Sequence, residues 1–227
     1  AIDARVFDNE DNEVPQDNET IGEIVVRGHW ITEQYFKDPE RTADAWRDGW
    51  FRTGDAAKID ETGYITIVDR FKDVIRSGAE MVPTVLLENM VSNAEFVMEA
   101  TVVGVPDETW GEVPMAIIKL LPGVEAKEED LLTFMEAEGV DKGKITKWML
   151  PVYVAFVDEI PKTSVGKYDK ISVREQLESF VGQAKKSTPE LDNSPVDRPP
   201  HRSTGSKNSQ LLTCNATDLG TATGMAR

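Results

Sequence analysis

The spacing of apolar residues changes character twice along the 227 residues, and this limits the fold more than any single motif. Through the first seventy residues, short β-branched runs alternate with turn formers. Residues 2–7 and 21–27 read as strands, with a polar turn at Asp8-Asn9-Glu10-Asp11-Asn12. Asp38 in the N-cap position and Pro39 at the first helical position open a short helix toward Trp46. Asp48-Gly49 reads as a turn, and residues 56–59 and 64–68 flank Asp60-Glu61-Thr62-Gly63 as a hairpin.

Between residues 73 and 183 the period alternates between 3.6 and 2. Residues 83–90 predict a helix with Leu86, Leu87 and Met90 inward. Residues 101–105, 113–121 and 152–157 predict strands. An acidic helix over 128–138 turns Leu131, Leu132 and Met135 inward, and a last helix over 170–181 carries the stripe Val173, Leu177, Phe180 and Val181. Strands and helices in irregular order point to an α+β fold. Residues 187–227 hold no aromatic side chain and are dominated by Ser, Thr, Asn, Gly and Pro. Such a stretch buries too little apolar surface to offset its ordering entropy. The expected division is a β-rich unit over 1–71, a small mixed α/β unit over 72–184 and a disordered tail over 185–227.

The formal charge is −16, from 41 acids and 25 Lys and Arg. Residues 187–227 carry four acids and four bases, so the whole excess lies before them. A body this acidic is poorly suited to polyanionic partners, which argues against nucleic acid or an anionic membrane surface. Cys214 is the only cysteine and His29 and His201 are the only histidines, so no disulfide, Cys-based zinc site or multi-His metal site is expected. His29 reads as a structural histidine. No apolar run is long enough for a transmembrane helix, and no leader peptide is recognisable, so the default location is cytoplasmic.

Taken singly, the candidate functional segments are modest. Asp55 follows Thr53-Gly54 and offers a carboxylate that accepts two hydroxyl hydrogen bonds, or simply a solvated turn residue. Asp69-Arg70-Phe71-Lys72-Asp73 alternates charge where the texture changes, as a hinge or as a salt-laced strand end. Ser77-Gly78-Ala79-Glu80 is a small-residue turn along which a ligand chain can pass, or a plain hairpin. Trp110 stacks on a ligand ring or packs at a strand start. Pro161-Lys162-Thr163-Ser164-Val165-Gly166-Lys167 ends a flexible loop in a mobile point charge, which is also the usual exposed fate of lysine. Tyr168 follows it, so this is no P-loop. Arg70, Lys72, Arg76, Lys162, Lys167 and Lys170 form a basic cluster on an acidic body, suited to an anion such as a nucleotide.

The order of these pieces is more specific than any of them. Gly22-Glu23-Ile24-Val25-Val26-Arg27-Gly28, Asp38-Pro39-Glu40-Arg41-Thr42 and Gly49-Trp50-Phe51-Arg52-Thr53-Gly54-Asp55 resemble the adenylate-forming superfamily. That group includes acyl-CoA synthetases, peptide-synthetase adenylation domains and luciferases. Asp69-Arg70-Phe71-Lys72-Asp73-Val74-Ile75 is similar to its hinge motif, and the Lys167 loop to its C-terminal lysine motif. The stretch from Gly104 to Glu112 is similar to the acyl-CoA synthetase branch. Residues 147–151 and 157–162 resemble medium- and long-chain fatty-acid–CoA ligases. The resemblance covers about residues 1–184.

It implies a two-step reaction, in which a fatty acid and ATP give acyl-adenylate and pyrophosphate, and CoA then gives the thioester and AMP. Asp55 would hold the ribose hydroxyls and Arg70 would assist at the nucleotide. Lys167 would be the catalytic lysine, and Lys72 the hinge. Ser77, Gly78, Ala79 and Trp110 would line the CoA path. Mg2+ is expected with ATP, but its ligands are not expected in this chain. Two departures stand out. Ala79 replaces a usual second glycine, which strains the backbone if that position needs positive φ. The family's phosphate loop and its Tyr-Gly-x-Thr-Glu motif do not occur, so the chain reads as a C-terminal portion that does not adenylate without the N-terminal part of the large domain. Competing expectations are a non-catalytic CoA- or AMP-binding module, half of a split enzyme, and a fragment of a peptide-synthetase adenylation domain.

Overall fold

The computed structural model of the chain describes residues 1–186 and has an α+β fold built on two sheets. The first sheet contains β1 (Asp3–Phe7), β2 (Gly22–Arg27), β3 (Trp46–Arg47), β4 (Trp50–Ile59) and β5 (Ile65–Arg70). Its order is β1-β2-β4-β3, with β5 also beside β4, and every pairing is antiparallel. The helix α1 (Pro39–Ala45) starts as expected, with the Asp38 carboxylate accepting from Arg41 N at 3.0 Å. Asp48 and Gly49 both have positive φ, which matches the tight β3–β4 turn. The sheet's small core joins Val6, Val14, Ile24, Ala57 and Ile59. Trp50 is buried edge-on against Phe7, with the Arg27 guanidinium 4.2 Å above its ring.

The second sheet begins with a short hairpin, β6 (Ile75–Ser77) and β7 (Glu80–Val82), followed by α2 (Thr84–Ser92). Two long strands come next, β8 (Val97–Asp107) and β9 (Gly111–Leu120). Then follow α3 (Glu128–Met135), β10 (Tyr153–Phe156), α4 (Lys170–Glu175), α5 (Leu177–Gln183) and β11 (Lys185–Lys186). The order is β11-β10-β9-β6-β7 with β8 on β9, and among the described residues only β9 and β10 run parallel. The near-continuous apolar run of β9 has a simple cause: both faces of the strand are covered. Ala116 and Ile118 face a core completed by Leu87, Val91, Leu131 and Met135 of α2 and α3. Val113, Met115 and Ile117 face Val173 and Phe180 of α4 and α5.

Local details differ from the sequence reading. In α2 the buried stripe is Thr84, Leu87, Met90 and Val91, and Leu86 lies one position off it, partly exposed. The acidic helix stops at Met135 and runs into a π turn over 136–140. There Gly139 packs so closely that a Cβ would stand 2.6 Å from Met90 Sδ. The last helix is broken at Gln176, whose N–H is shared among the carbonyls of Ser172, Val173 and Arg174. Val173 and Phe180 nevertheless stay on one sheet face. Lys185 and Lys186 pair with Val154 and Tyr153, so the strand takes the first two residues assigned to the tail. The rest of the expected disordered tail, with Cys214 and His201, lies outside the described residues. His29, read as structural, is exposed.

Candidate functional site

The chain crosses from one sheet to the other through residues 70–74, and the candidate residues lie on either side of this crossing. Asp55 and Arg70 are register partners on β4 and β5, and Arg70 Nη1 lies 2.8 Å from Asp55 Oδ1. The local bend has its own supports. Gly54 has φ 74°, its N–H donates to Glu23 Oε1 at 2.9 Å, and its carbonyl accepts from Phe71 N at 2.8 Å. Thr53 Oγ1 donates to Ile24 O at 2.9 Å. The Asp55 side chain remains 29% exposed and that of Arg70 61%, so both are open to a ligand. Next to them Arg52 is nearly buried and pairs with Asp11 and Glu23.

Lys72 is exposed on the crossing, where Asp73 N and Val74 N both donate to Arg70 O. Arg174 Nη2 donates to Asp73 Oδ1 at 2.7 Å and reaches Lys72 O at 3.5 Å. The structure thus ties the crossing to α4.

Ser77, Gly78 and Trp110 come together although thirty residues separate them in sequence. Ser77 pairs with Gly111, and Gly78 N donates to Trp110 O at 2.7 Å. Glu112 helps hold this edge, since Glu112 Oε2 accepts from Arg76 N at 2.9 Å. Gly104 leaves room for that carboxylate, because a Cβ there would lie 3.1 Å from it. Ser77 Oγ is buried and has no hydrogen-bond partner among the described residues. Trp110 is half-buried against the core beneath β9. The β6–β7 turn has positive φ at Gly78 (65°) and not at Ala79. These are the φ signs of a type II′ hairpin, which needs glycine only at the first central position. Ala79 therefore brings no backbone strain.

Lys167 is exposed on a turn closed by its own backbone. Thr163 N donates to Lys167 O at 2.8 Å, and Gly166 N to Thr163 O at 2.9 Å, with Gly166 at φ 81°. Lys162 Nζ anchors the base of the turn on Glu99 Oε1 at 2.8 Å, and that hydrogen bond raises the lysine's pKa. Of the six clustered bases, three are paired with carboxylates: Arg70 with Asp55, Lys162 with Glu99 and Lys170 with Glu88. The basic cluster is therefore less available to a free anion than its composition suggests.

The sequence reading missed a buried polar network centred on a carboxylate. Asp69, 7% exposed, accepts through Oδ2 from Thr84 N at 2.6 Å, Thr84 Oγ1 at 2.7 Å and Val85 N at 3.3 Å. Lys170 Nζ donates to Thr84 Oγ1 at 2.6 Å and pairs with Glu88 Oε1 at 2.9 Å. Glu88 Oε1 also accepts from Thr101 Oγ1 and Val102 N. The available signal was weak, since Asp69 and Lys170 look like ordinary members of a charge run. Among the described residues no group of three or more His, Cys, Asp and Glu is arranged to hold a metal ion. No helix among them is long and apolar enough to cross a membrane.

Residues 86–167 match the AMP-binding enzyme C-terminal domain. The chain is 42% identical over 180 residues to a 4-hydroxybutyrate–CoA ligase of Metallosphaera sedula, covering 79% of this chain and 32% of the relative. It is 41% identical over 181 residues to a long-chain-fatty-acid–CoA ligase of Thermus thermophilus, with the same coverage. Among solved structures, ATP-bound MatB from Rhodopseudomonas palustris superposes with a TM-score of 0.65 at 32% identity, over 79% of this chain and 35% of that one. The chain thus spans about a third of the length of the curated relatives it matches.

Proposed function

We propose, because this chain belongs to the adenylate-forming superfamily, that residues 1–184 carry the C-terminal portion of an ATP-dependent, AMP-forming fatty-acid–CoA ligase. The proposed division puts the β-rich end of the large domain over 1–71 and the small domain over 72–184. The observation that supports this most is the placement of two candidate clusters on opposite sides of Lys72. Asp55 with Arg70 lies before it, and Ser77 and Gly78 with Trp110 lie after it.

In the first half-reaction the fatty-acid carboxylate attacks the α-phosphorus of ATP, and pyrophosphate leaves. Asp55 accepts hydrogen bonds from the ribose hydroxyls, and Arg70 orients that carboxylate while contributing positive charge at the nucleotide. Lys167 supplies a cation at the shifting negative charge, where stabilisation of the transition state lowers the barrier. In the second half-reaction the small domain turns about Lys72 and the CoA thiol attacks the acyl carbonyl, releasing AMP. The β6–β7 hairpin and Trp110 then border the pantetheine path, so one small domain serves both steps through a conformational change. Mg2+ accompanies ATP, with ligands supplied by the N-terminal part of the large domain. The location proposed is cytoplasmic.

The test is ATP–pyrophosphate exchange driven by a panel of carboxylic acids, from short hydroxy acids to long-chain fatty acids. The isolated chain is expected to give no exchange. The chain joined to the rest of its large domain is expected to give exchange with fatty acids, which Lys167→Ala abolishes. Exchange by the isolated chain, or exchange indifferent to Lys167, would overturn the assignment. Exchange only with short hydroxy acids would overturn the substrate class alone.

A further inference from the structure

The helix α2 begins without a capping side chain of its own, because its N-cap residue is Pro83. Its first N–H groups are capped instead by Asp69, fifteen positions earlier and on the first sheet. A helix N-terminus needs such acceptors, and a carboxylate is a strong one. The cap is extended by a second layer. Thr84 Oγ1 donates to Asp69 Oδ2 and at the same time accepts from Lys170 Nζ, three residues beyond Lys167. Thr84 is fully buried, and the Lys170 side chain is only 14% exposed. At the other end, Asp69 Oδ1 accepts from the N–H of Arg70, the partner of Asp55.

We infer that Thr84 is a positioning residue whose hydroxyl locks the small unit, and with it the Lys167 turn, in one orientation relative to the Asp55–Arg70 pair. Asp69 precedes Lys72 in the chain, and Thr84 and Lys170 follow it. Any large turn about Lys72 therefore carries Thr84 and Lys170 away from Asp69 and breaks the relay. Arg174 on Asp73 does not have this property, because Asp73 itself lies beyond Lys72. The relay is buried, so each group it releases must find water or another partner before the turn is complete. The consequence for catalysis rests on the proposed function: the relay would favour the half-reaction that uses this orientation, and its rupture would be part of the passage to the other.

The orientation itself is testable without nucleotide. Spin labels at Ile67→Cys and Val165→Cys, both exposed positions on the two units, report the distance between the first sheet and the Lys167 turn in a Cys214→Ser background. The unsubstituted relay is expected to give one dominant distance. Thr84→Val removes the hydroxyl at nearly constant shape. It is expected to lower the ratio of that orientation to all others about tenfold, the size of one buried hydrogen bond lost. Thr84→Ser is expected to restore the single distance. Lys170→Met, which breaks the relay from the other side, should broaden the distribution in the same way and serves if Thr84→Val does not fold. Thr84→Val or Lys170→Met proteins that fold and keep the wild-type distribution would overturn the inference, as would a Thr84→Ser protein that behaves like Thr84→Val. Failure of carboxylate-dependent exchange would leave this result standing, and an unchanged distribution would leave the ligase assignment standing.

Discussion

The turn at Gly78 and Ala79 allows the proposed CoA-side edge to be perturbed at a single backbone angle. Gly78 sits at φ 65°, where an alanine costs about 1–2 kcal/mol because its Cβ crowds the following carbonyl. Little holds the hairpin tip in place. Ser77 pairs with Glu80 within the hairpin and with Gly111 on β9, and Gly78 N donates to Trp110 O at 2.7 Å. A hydrogen bond of that kind contributes about 0.5–1.5 kcal/mol net, so the strain in Gly78→Ala is comparable to the bond it must preserve. The tip should therefore open. Amide hydrogen exchange at position 78, read by NMR under conditions where reclosing outpaces chemical exchange and the rate follows the opening equilibrium, is expected to lose about 5–30-fold of its protection. Ala79→Gly is the control, because residue 79 is not in the left-handed region and the change acts chiefly on the unfolded chain. It should leave protection at residue 78 within about twofold, since its cost is spread over global unfolding. Unchanged protection in Gly78→Ala, or a larger loss in Ala79→Gly, would refute the assignment of strain in this turn.

Three other outcomes follow from the packing and charges. Gly22→Ala should destabilise by about 1–3 kcal/mol in denaturant unfolding, because its Cβ would stand 2.5 Å from Phe7 O, a carbonyl fixed in a strand. Gly139→Ala meets Met90 Sδ at 2.6 Å, a thioether that can swing aside, so its effect should be the smaller of the two. A reversed order would contradict this account. Asp17 is held down to about 2, from 3.8, by hydrogen bonds from the Thr20 hydroxyl and from the Thr20 and Glu19 amides. Its folded value lies below its unfolded one, so its contribution is present above about pH 4 and disappears as the pH falls toward about 2. The stability difference between wild type and Asp17→Asn should shrink over that window, and a difference that grew on acidification would reverse the sign of the argument. Lys162→Ala removes an ion pair whose lysine side chain is 38% exposed and screened by solvent, so it should leave the denaturant midpoint close to that of the wild type. A clear drop in that midpoint would mean that the pair supports more than the turn.

What could be read from the chain alone was mostly local. The Asp38 cap, the Asp48-Gly49 turn and the hairpin at Asp60 to Gly63 depend on neighbours within four residues, and all three formed where expected. The errors share a cause in contacts from distant segments. Leu86 belongs to the same helix as Leu87, but the core approaches α2 from the side of Thr84, Leu87 and Val91. The acidic helix gives way to a π turn after Met135, and within that turn Gly139 lies so near Met90 and Ile145 that no Cβ would fit unless they moved. The concern over Ala79 was also a question of conformation. Composition cannot say which residue of a two-residue turn takes positive φ; the pairing of Ser77 with Glu80 makes the turn two residues long, and the backbone angle of 65° falls on Gly78 and not on Ala79.

The charged residues carry the same lesson into the site. In a linear reading, Arg70, Lys162 and Lys170 are indistinguishable from Lys72 and Lys167, and all of them look ready for an anion. The fold separates them by supplying Asp55, Glu99 and Glu88 at hydrogen-bonding distance from the first three. Asp69 is the converse case. It reads as one acid in an alternating run, yet it is buried where the first sheet meets α2, in place of the cap that Pro83 lacks. A buried carboxylate is costly unless donors surround it, and here every donor to Asp69 Oδ2 comes from beyond Lys72. Its stability is therefore coupled to the orientation of the second unit. The residue that the sequence made least conspicuous is thus the one through which a turn about Lys72 would be felt.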